Sequence, residues 1–300
     1  MRRTLKILAL TLLALPLLAC ALHVANSGSE PVPPRPEGTF RIATYNTHYI
    51  LLNKPEGAWS VADWERRRAP MAEALRKIDA DIIAFQEMES FQRGDDGSTN
   101  LARDYLLAEL PGLQAAASGP WQSFPATQPI FYRASRLTPV DEGWFFFSDT
   151  PDVIYSRTFN GSWPAFASWA EFETAGGKRL RVVNVHFEYK SRSNRRLSAA
   201  LVRDRLAPVI AAGTPTILLG DLNAMHGAYT LRTLEEAGLT FAPTRGATYH
   251  LNAGINLLGA IDHIAASHGI TVTKPLVLRE KFMGEWPSDH YPVYADITLP

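Results

Sequence analysis

The chain carries six short clusters of acidic, amide or imidazole side chains, most of them at the end of an apolar segment. The apolar segments are rich in Ile, Val, Leu and Phe, which predicts buried strands. The clusters are Asn46-Thr47-His48, Gln86-Glu87, Asn184-Val185-His186, Asp221-Leu222-Asn223, Ile261-Asp262-His263 and Ser288-Asp289-His290. A carboxylate at the rim of an apolar strand is costly to desolvate unless it meets a cation or hydrogen-bond donors. Six such clusters therefore predict one shared polar cleft.

Strand-like and helix-like segments alternate, which predicts an α/β domain. Residues 39–46 and 81–87 are predicted strands, with a helix over residues 60–78 between them. Ser60 and Asp63 have the spacing of a helix N-cap, and Pro70 predicts a kink or two short helices. Later strands follow one another with little helix between them, so we expect more than one sheet. The later predicted strands cover residues 129–133, 166–173, 180–187, 215–220, 260–266, 270–278 and 291–299, with helices at 194–211 and 229–237.

The N-terminus has the features of an exported precursor. A basic start is followed by a short apolar run over residues 7–19, too short to span a bilayer comfortably. The run ends at Leu17-Leu18-Ala19-Cys20, which resembles a bacterial lipobox, and Cys20 is the sole cysteine. We predict a lipoprotein signal peptide over residues 1–20 and lipidation of Cys20; the alternative is an ordinary signal peptide. A single cysteine excludes an intramolecular disulfide and a cysteine-based zinc cluster.

The remainder divides into a linker and one domain. Residues 21–38 are rich in proline and small polar residues, which predicts an extended, solvated tether. Residues 39–300 are predicted to form a single catalytic domain. Basic and acidic residues balance at 30 each, and removing residues 1–20 takes away three basic side chains and no acidic one. The resulting net charge of −3 argues against nonspecific affinity for nucleic acid.

The chemistry of the clusters favours a hard divalent ion. Carboxylates with amides and imidazoles, and without thiols, suit Mg²⁺ or Mn²⁺. Each cluster alone is unspecific, since Asp221 and Asn223 by themselves are also typical of a turn. A dinuclear metallophosphatase is disfavoured, because it would need an Asp-x-His and a Gly-Asn-His motif that the sequence lacks.

Taken in order, the six clusters resemble the endonuclease/exonuclease/phosphatase superfamily, which includes DNase I-like nucleases, inositol polyphosphate phosphatases and bacterial sphingomyelinases. The resemblance covers residues 39–299. It implies a four-layer α/β sandwich, two packed mixed β-sheets flanked by helices, with the catalytic rim at one end. Three positions depart from the pattern: His48 stands where relatives carry an acidic residue, His263 where Tyr is common, and Phe166 where an Arg is frequent.

The resemblance also implies site residues. The implied metal ligands are Asn46, Glu87 and Asp289, for Mg²⁺ with Mn²⁺ or Ca²⁺ as alternatives. The implied catalytic residues are His186, Asp221, Asn223, Asp262 and His290. Asp221, oriented with help from Asn223, would align or deprotonate the attacking water. His290, held by Asp262, would bind the scissile phosphate, and His186 would contact the phosphate or the leaving oxygen.

The expected function is hydrolysis of phosphoester bonds, most simply phosphodiesters, by a monomer anchored in the bacterial cell envelope at the outer membrane or periplasmic face. Lys190 and Arg192 follow the His186 strand and are candidate substrate-binding cations. A small or membrane-associated phosphoester is favoured over long duplex nucleic acid, which needs several basic contacts along one face. Two alternatives stay open: a DNase I-like nuclease, and a non-catalytic surface lipoprotein that binds phosphate-bearing ligands.

Overall fold

The computed structural model describes residues 2–88, 100–161 and 163–300. The helices are α1 (Arg2–Asn26), α2 (Val61–Ile78), α3 (Leu101–Glu109), α4 (Arg192–Ala211) and α5 (Tyr229–Glu235). The strands are β1 (Phe40–Asn46), β2 (Ile82–Gln86), β3 (Leu113–Ala116), β4 (Ile130–Arg133), β5 (Leu137–Phe146), β6 (Phe166–Thr174), β7 (Arg179–His186), β8 (Thr216–Asp221), β9 (Leu239–Ala242), β10 (Asp262–Ser267), β11 (Thr271–Val272), β12 (Leu276–Val277) and β13 (Val293–Thr298). No helix formed by these residues is both long and apolar enough to cross a membrane.

The strands form two mixed sheets. The first has the order β11-β13-β1-β2-β4-β3, with β12 also pairing with β13, and the second has the order β5-β6-β7-β8-β10-β9. Only β1 with β2 and β7 with β8 run parallel; the other pairs are antiparallel. A helix crossover lies between the partners of each parallel pair, as parallel strands require.

Three apolar cores lie between these elements and separate them into four layers. The central core lies between the sheets and includes Ile42, Ile82 and Ile217. A second core packs α2 and α3 on the first sheet, and a third packs α4 and α5 on the second sheet. Strand side chains alternate between the central core and an outer one, because successive residues point to opposite faces. The four-layer sandwich is confirmed.

The topology brings the polar strand ends to one edge. His186 ends β7 opposite Asp221, which ends the parallel β8. Asp262 begins β10 opposite the same Asp221, since those two strands are antiparallel. Asn46 and Gln86 end β1 and β2 side by side in the other sheet. The clusters therefore converge on one cleft, although their members, from Asn46 to His290, lie up to 244 residues apart in sequence.

Buried amides join the two sheets just beneath this edge. The Gln86 side chain donates to Asn184 Oδ1 at 2.7 Å, and the Asn184 side chain donates to the Phe85 carbonyl at 2.7 Å. Both amides are fully buried. Two members of the predicted polar clusters thus hold the sheets in register instead of facing the cleft.

Two local predictions need correction. Of the two outcomes expected at Pro70, the two short helices are wrong, since one helix runs from Val61 to Ile78, and the kink stays a prediction. The two halves of α2 bury Trp64 and Met71 in the same core, and that packing keeps the helix continuous despite the lost N–H. The single strand expected over residues 270–278 is two short strands, separated at Pro275, which cannot donate a ladder hydrogen bond. By contrast, the N-cap is confirmed: the Asp63 N–H donates to Ser60 Oγ at 3.0 Å.

Residues 21–38 differ from the extended, solvated tether expected for them. Helix α1 continues to Asn26, whose carbonyl accepts a hydrogen bond from the Ala247 N–H at 3.0 Å. Further along, Arg35 pairs with the buried Asp81 at 2.7 Å. The segment therefore lies against the domain. The removal of residues 1–20 and the boundary at residue 39 stay predictions.

Candidate active site

Asp221, Asp262 and His290 form a compact acid–imidazole cluster on the floor of the cleft. His290 Nδ1 lies 3.0 Å from Asp262 Oδ2, and His290 Nε2 lies 3.7 Å from Asp221 Oδ2. All three side chains are buried. Burial alone would lower the pKa of His290, but the facing Asp262 and Asp221 carboxylates raise it well above its usual value. The geometry thus favours an imidazolium at this position.

Asp221 is held by donors on both carboxylate oxygens. Asn46 Nδ2 donates to Oδ2 at 3.2 Å, and the backbone N–H of Asn223 donates to Oδ1 at 2.9 Å. Asn223 adopts a left-handed backbone with φ 46°, and its side chain donates to the Phe187 carbonyl at 2.9 Å. Burial, and then the neighbouring Asp262, raise the pKa of Asp221 to about 7. A carboxylate with such a pKa can accept a proton near neutral pH.

Gly220 determines how closely β7 and β8 approach one residue before Asp221. A Cβ at Gly220 would lie 1.9 Å from the Val185 carbonyl oxygen, and the backbone φ is 152°. No other residue fits that space without moving the strand. The close approach places Asp221 directly beside His186.

Glu87 lies across the cleft from this cluster. Its Oε1 lies 3.7 Å from His186 Nε2, which is 3.6 Å from Asp221 Oδ2, so His186 stands between the two carboxylates. Glu87 Oε2 accepts a hydrogen bond from the Tyr49 N–H at 3.1 Å. Burial raises the pKa of Glu87, and burial lowers the pKa of His186 despite the nearby Glu87. Glu87 also adopts φ 58°, a backbone conformation that costs energy for a residue with a side chain.

Asp289 is paired with His48, one of the three positions at which the sequence departs from the family pattern. His48 Nδ1 lies 3.0 Å from Asp289 Oδ2. Burial acts to raise the pKa of Asp289, but the contact with His48 and the nearby His290 hold it well below its usual range. His48 therefore occupies one oxygen of Asp289 and adds an imidazole to the acidic cleft.

Arg67 supports the loop that bears Asn46 and His48. Its guanidinium donates to the Thr47 and His48 carbonyls, each at 2.5 Å, and it pairs with Asp63 at 2.8 Å. Only 2% of Arg67 is exposed. Three consecutive arginines on a helix, residues 66–68, are most simply a solvated face, but Arg67 is buried because the loop carbonyls need a buried donor.

The donor set fits a divalent cation. Glu87, Asp221, Asp262 and Asp289 share the cleft, and within residues 2–88, 100–161 and 163–300 their ion pairs are all with histidines. The tightest group of possible ligands is Asp221, Asp262 and His290, whose ligand atoms all lie within 4.8 Å of one another. Asp262 is already bonded to His290, however. The other side of the cleft offers the carboxylate oxygens of Glu87 and Asp289.

The two predicted substrate-binding cations do not join this cluster. Lys190 is exposed beyond β7, with its Nζ 5.1 Å from the Tyr189 ring centroid, and Arg192 is exposed at the start of α4. Arg195 lies closer: it donates to the Glu188 carbonyl at 2.7 Å, and its charge interacts with Asp221. Arg195 belongs to the same basic stretch of the sequence as Lys190 and Arg192.

Tyr249 is a cleft residue that the sequence did not indicate. Its ring centroid lies 5.0 Å from that of His290, and an isolated bridge pairs the two residues. The other two departures are structural. Phe166 is buried against Phe146, and the His263 ring lies 2.8 Å from the Ala224 carbonyl through Nε2. No motif flags Tyr249, because its position depends on long-range pairing.

Two mixed sheets packed face to face, with helices outside and a carboxylate–imidazole cleft at one end, define an α/β sandwich of the DNase I-like class. The model of the endonuclease/exonuclease/phosphatase family matches residues 43–290, and the chain belongs to this family. Members of the family are hydrolases that act on phosphoesters.

Similar proteins agree with this assignment. A mannosyl-6-phosphatase of Bacteroides thetaiotaomicron superposes with a TM-score of 0.72 at 23% identity, over 87% of this chain and 100% of that one. The human Nocturnin catalytic domain, solved with a bound sulfate anion, gives a TM-score of 0.60 at 18% identity, over 89% and 96%. An uncharacterized protein of Acanthamoeba polyphaga mimivirus is 28% identical over 171 residues, which span 55% of this chain and 60% of the viral protein.

Proposed function

We propose that this chain is a divalent-metal-dependent hydrolase of phosphoester bonds, most simply phosphodiesters, in which water attacks in line with the leaving oxygen. The observation that carries the proposal is the arrangement of Asp221 between two donors and beside the Asp262–His290 pair. A carboxylate that can accept a proton and an imidazolium that can neutralise charge lie within 3.7 Å of each other. Water-based phosphoryl transfer needs both groups.

Asp221 is the proposed base for the attacking water. The Asn223 N–H and the Asn46 amide fix the plane of its carboxylate, so that one face is presented to the cleft. Its pKa, raised to about 7 by burial, matches proton acceptance at neutral pH. No covalent intermediate is required, since the same base can serve a single in-line displacement.

His290 is the proposed donor to the phosphoryl oxygens. Asp262 binds Nδ1 and leaves Nε2 directed toward Asp221, which fixes both the ring orientation and its proton. As negative charge builds on the phosphoryl group, a fixed imidazolium stabilises that charge without reorganising. His186, between Glu87 and Asp221, is placed to contact the phosphate or the leaving oxygen.

Glu87, with Asn46 and Asp289, would hold the metal, and Mg²⁺ is the ion that best suits oxygen ligands of this kind. When bound, such an ion supplies Lewis-acid stabilisation of the phosphoryl oxygens. The His48 contact occupies one oxygen of Asp289, so Glu87 would be the principal ligand.

Location forms a second part of the proposal. We propose that the chain is exported, lipidated at Cys20 and held at a membrane of the bacterial envelope, which rests on the lipobox-like Leu17-Leu18-Ala19-Cys20. Fractionation of cells that express wild type and Cys20→Ser would test this. We expect the variant to leave the membrane fraction; unchanged membrane association would refute lipidation.

The proposed substrate is small or membrane-associated, with Lys190 and Arg192 as peripheral contacts for phosphate. The exposed positions of both cations, outside the floor of the cleft, suit a second charged group of a compact substrate better than a duplex track. A nuclease activity is the alternative. Salt-sensitive nicking of plasmid DNA that is lost in Asp221→Asn would favour that alternative.

The decisive experiment is turnover of bis(p-nitrophenyl) phosphate by the purified full chain. We expect hydrolysis with added Mg²⁺ and none in excess EDTA, with Mn²⁺ and Ca²⁺ measured in parallel. Asp204→Asn is the matched control, because Asp204 is an exposed aspartate on α4 that pairs with the partly exposed Arg203. Full activity in EDTA would contradict the metal assignment, and the absence of turnover on any phosphoester panel would favour a non-catalytic binding protein.

A further inference from the structure

Exposed apolar side chains lie immediately beside the cleft. We name Met225, Leu251, Ile255 and Leu258 the apolar rim; each is between 43% and 52% exposed. Met225 follows Asn223 by two residues, and Leu251 follows Tyr249, which lies against His290, by two. A Cβ at Gly259 would lie 3.7 Å from Met225 Sδ, so the two segments meet. Contiguous exposed apolar groups at one place mark an interaction surface.

The loop that carries most of the apolar rim is bonded to the end of α1. The Asn256 N–H donates to His23 Nδ1 at 3.1 Å, and the Asn256 side chain donates to Ser27 Oγ at 2.8 Å. Asn256 is only 4% exposed, so this contact is part of the packed structure. Cys20 precedes His23 by one helical turn, about 4.5 Å along the axis. The N-terminal segment is therefore fixed beside the cleft and does not hold the domain at a distance.

The surroundings of the apolar rim combine apolar and basic groups. After the proposed lipidation site at Cys20, α1 adds two further exposed apolar side chains, Leu22 at 40% and Val24 at 73%. Arg245 and Lys281 are exposed on flanking segments, and Lys281 Nζ lies 5.3 Å from the Trp286 ring. Trp286 in turn packs against Gly254 of the loop. Apolar side chains flanked by cations are typical of surfaces that bind anionic bilayers.

We infer that the apolar rim docks on a phospholipid bilayer, so that the cleft opens onto the membrane and receives a phosphoester presented at that surface. The docking follows from the apolar rim and its bonded helix; the nature of the substrate rests also on the proposed function. A bilayer is favoured over a second copy of the chain because the proposed lipid anchor at Cys20 lies next to the part of α1 that bonds the loop, and the flanking cations add attraction for anionic headgroups.

The sole cysteine makes a direct test possible. In the full chain with Cys20→Ser, a single cysteine is introduced by Leu258→Cys and labelled with an environment-sensitive fluorophore. Val140→Cys is the matched control, because Val140 is 42% exposed and lies toward the end of β5 that is remote from the cleft. Vesicles of phosphatidylcholine and phosphatidylglycerol at 7:3 are then added, with and without lipids carrying a quencher in the acyl chain.

We expect the probe at position 258 to shift to the blue and to be quenched about tenfold more strongly than the probe at 140, since only an inserted side chain meets acyl chains. Equal responses at the two positions would overturn the inference. A blue shift at 258 before vesicles are added, which grows with protein concentration, would also overturn it and indicate a second copy. Ile255→Cys repeats the test if Leu258→Cys does not fold.

Turnover of soluble bis(p-nitrophenyl) phosphate by the same labelled protein separates the two proposals. Insertion at position 258 without turnover would keep the docking surface and refute the hydrolase. Turnover with no insertion would keep the hydrolase and refute the docking surface.

Discussion

Strand β2 has a carboxylate at each end, and the two carboxylates are in opposite electrostatic situations. Asp81, just before the strand, is fully buried and pairs with Arg35, Arg133 and Arg136 at 2.7, 3.0 and 2.6 Å. Glu87, just after the strand, has no arginine or lysine partner within the described residues: it contacts the Tyr49 N–H, the Asn46 side chain and an imidazole at 3.7 Å.

The difference separates a structural carboxylate from a chemical one. Asp81 also accepts a hydrogen bond from the Arg41 N–H at 2.9 Å, so its charge is fully compensated. It stabilises the end of the sandwich opposite the cleft. Glu87 and its neighbouring carboxylates carry negative charge with which no arginine or lysine in the described part of the chain pairs. Such charge lowers stability, and proteins retain it at sites where a bound cation or substrate group compensates it. The predictions below test this distinction, from the largest expected effect to the smallest.

Loss of the proposed base should give the largest effect. In Asp221→Asn the amide can still accept from the Asn223 N–H but cannot accept a proton. We expect kcat to fall about 10³–10⁴-fold, the scale of a lost general base. The free energy of unfolding should stay the same or rise slightly. Kinetics on bis(p-nitrophenyl) phosphate and a urea titration would measure both, and Asp204→Asn should match wild type. Normal turnover by folded Asp221→Asn would refute the assignment.

Substitution of Asp81, at the other end of β2, should lower stability and leave activity nearly unchanged. Asp81→Asn leaves three arginines around a neutral amide, and we expect a loss of about 3 kcal/mol in the free energy of unfolding. The arginines are partly exposed, which keeps the loss at the lower end for a buried pair. Activity per folded molecule should stay within about twofold of wild type. A catalytic loss in this variant, without a stability loss, would erase the proposed distinction.

Glu87→Gln tests the other end of the same strand. Removing the charge while keeping the shape should lower activity at least about 100-fold, the scale of a lost key electrostatic group. Since burial raises the pKa of Glu87, we expect stability without metal to stay the same or increase. Mg²⁺ titrations followed by thermal unfolding would give a readout independent of turnover. A wild-type Mg²⁺ response would contradict the ligand role.

The smallest effect concerns pH. The folded-state pKa of His290 is raised, so the stability from its pairing with Asp262 is fully present below the unfolded value of about 6.5 and is lost as pH rises through the folded value. We therefore expect activity to decline on the alkaline side as the imidazolium deprotonates. Asp262→Asn should move that decline down by about one pH unit or more. An unchanged alkaline limb would show that another group controls it.

The sequence predicted the chemistry of the rim better than the roles of individual polar residues. The polar strand ends were predicted from the sequence, the support of Asp221 by Asn223 and the Asp262–His290 pair were implied by the family resemblance, and the structure brings these residues together. Motif order could not separate Asn184 and Gln86, which join the sheets, from residues that face the cleft. That distinction depends on which side of each strand meets the other sheet.

Long-range placement explains the other differences. Arg67 looks solvated in sequence because its neighbours Arg66 and Arg68 are, yet helix rotation directs it inward to the loop carbonyls. Tyr249 carries no motif and reaches His290 only through the pairing of distant segments. The linker composition of residues 21–38 gave no sign that Asn256 would bond to the end of α1.

Gly220 also bears on how this enzyme class can vary. An added methyl group would overlap the Val185 carbonyl oxygen at 1.9 Å, one residue before the proposed base. A saturation library at this codon should therefore yield no active clone, whereas Gly28, with nothing within 4 Å of an added Cβ, should accept many residues. Substitution is thus excluded at position 220, immediately before Asp221. New substrate preferences would have to arise from the loops around the cleft.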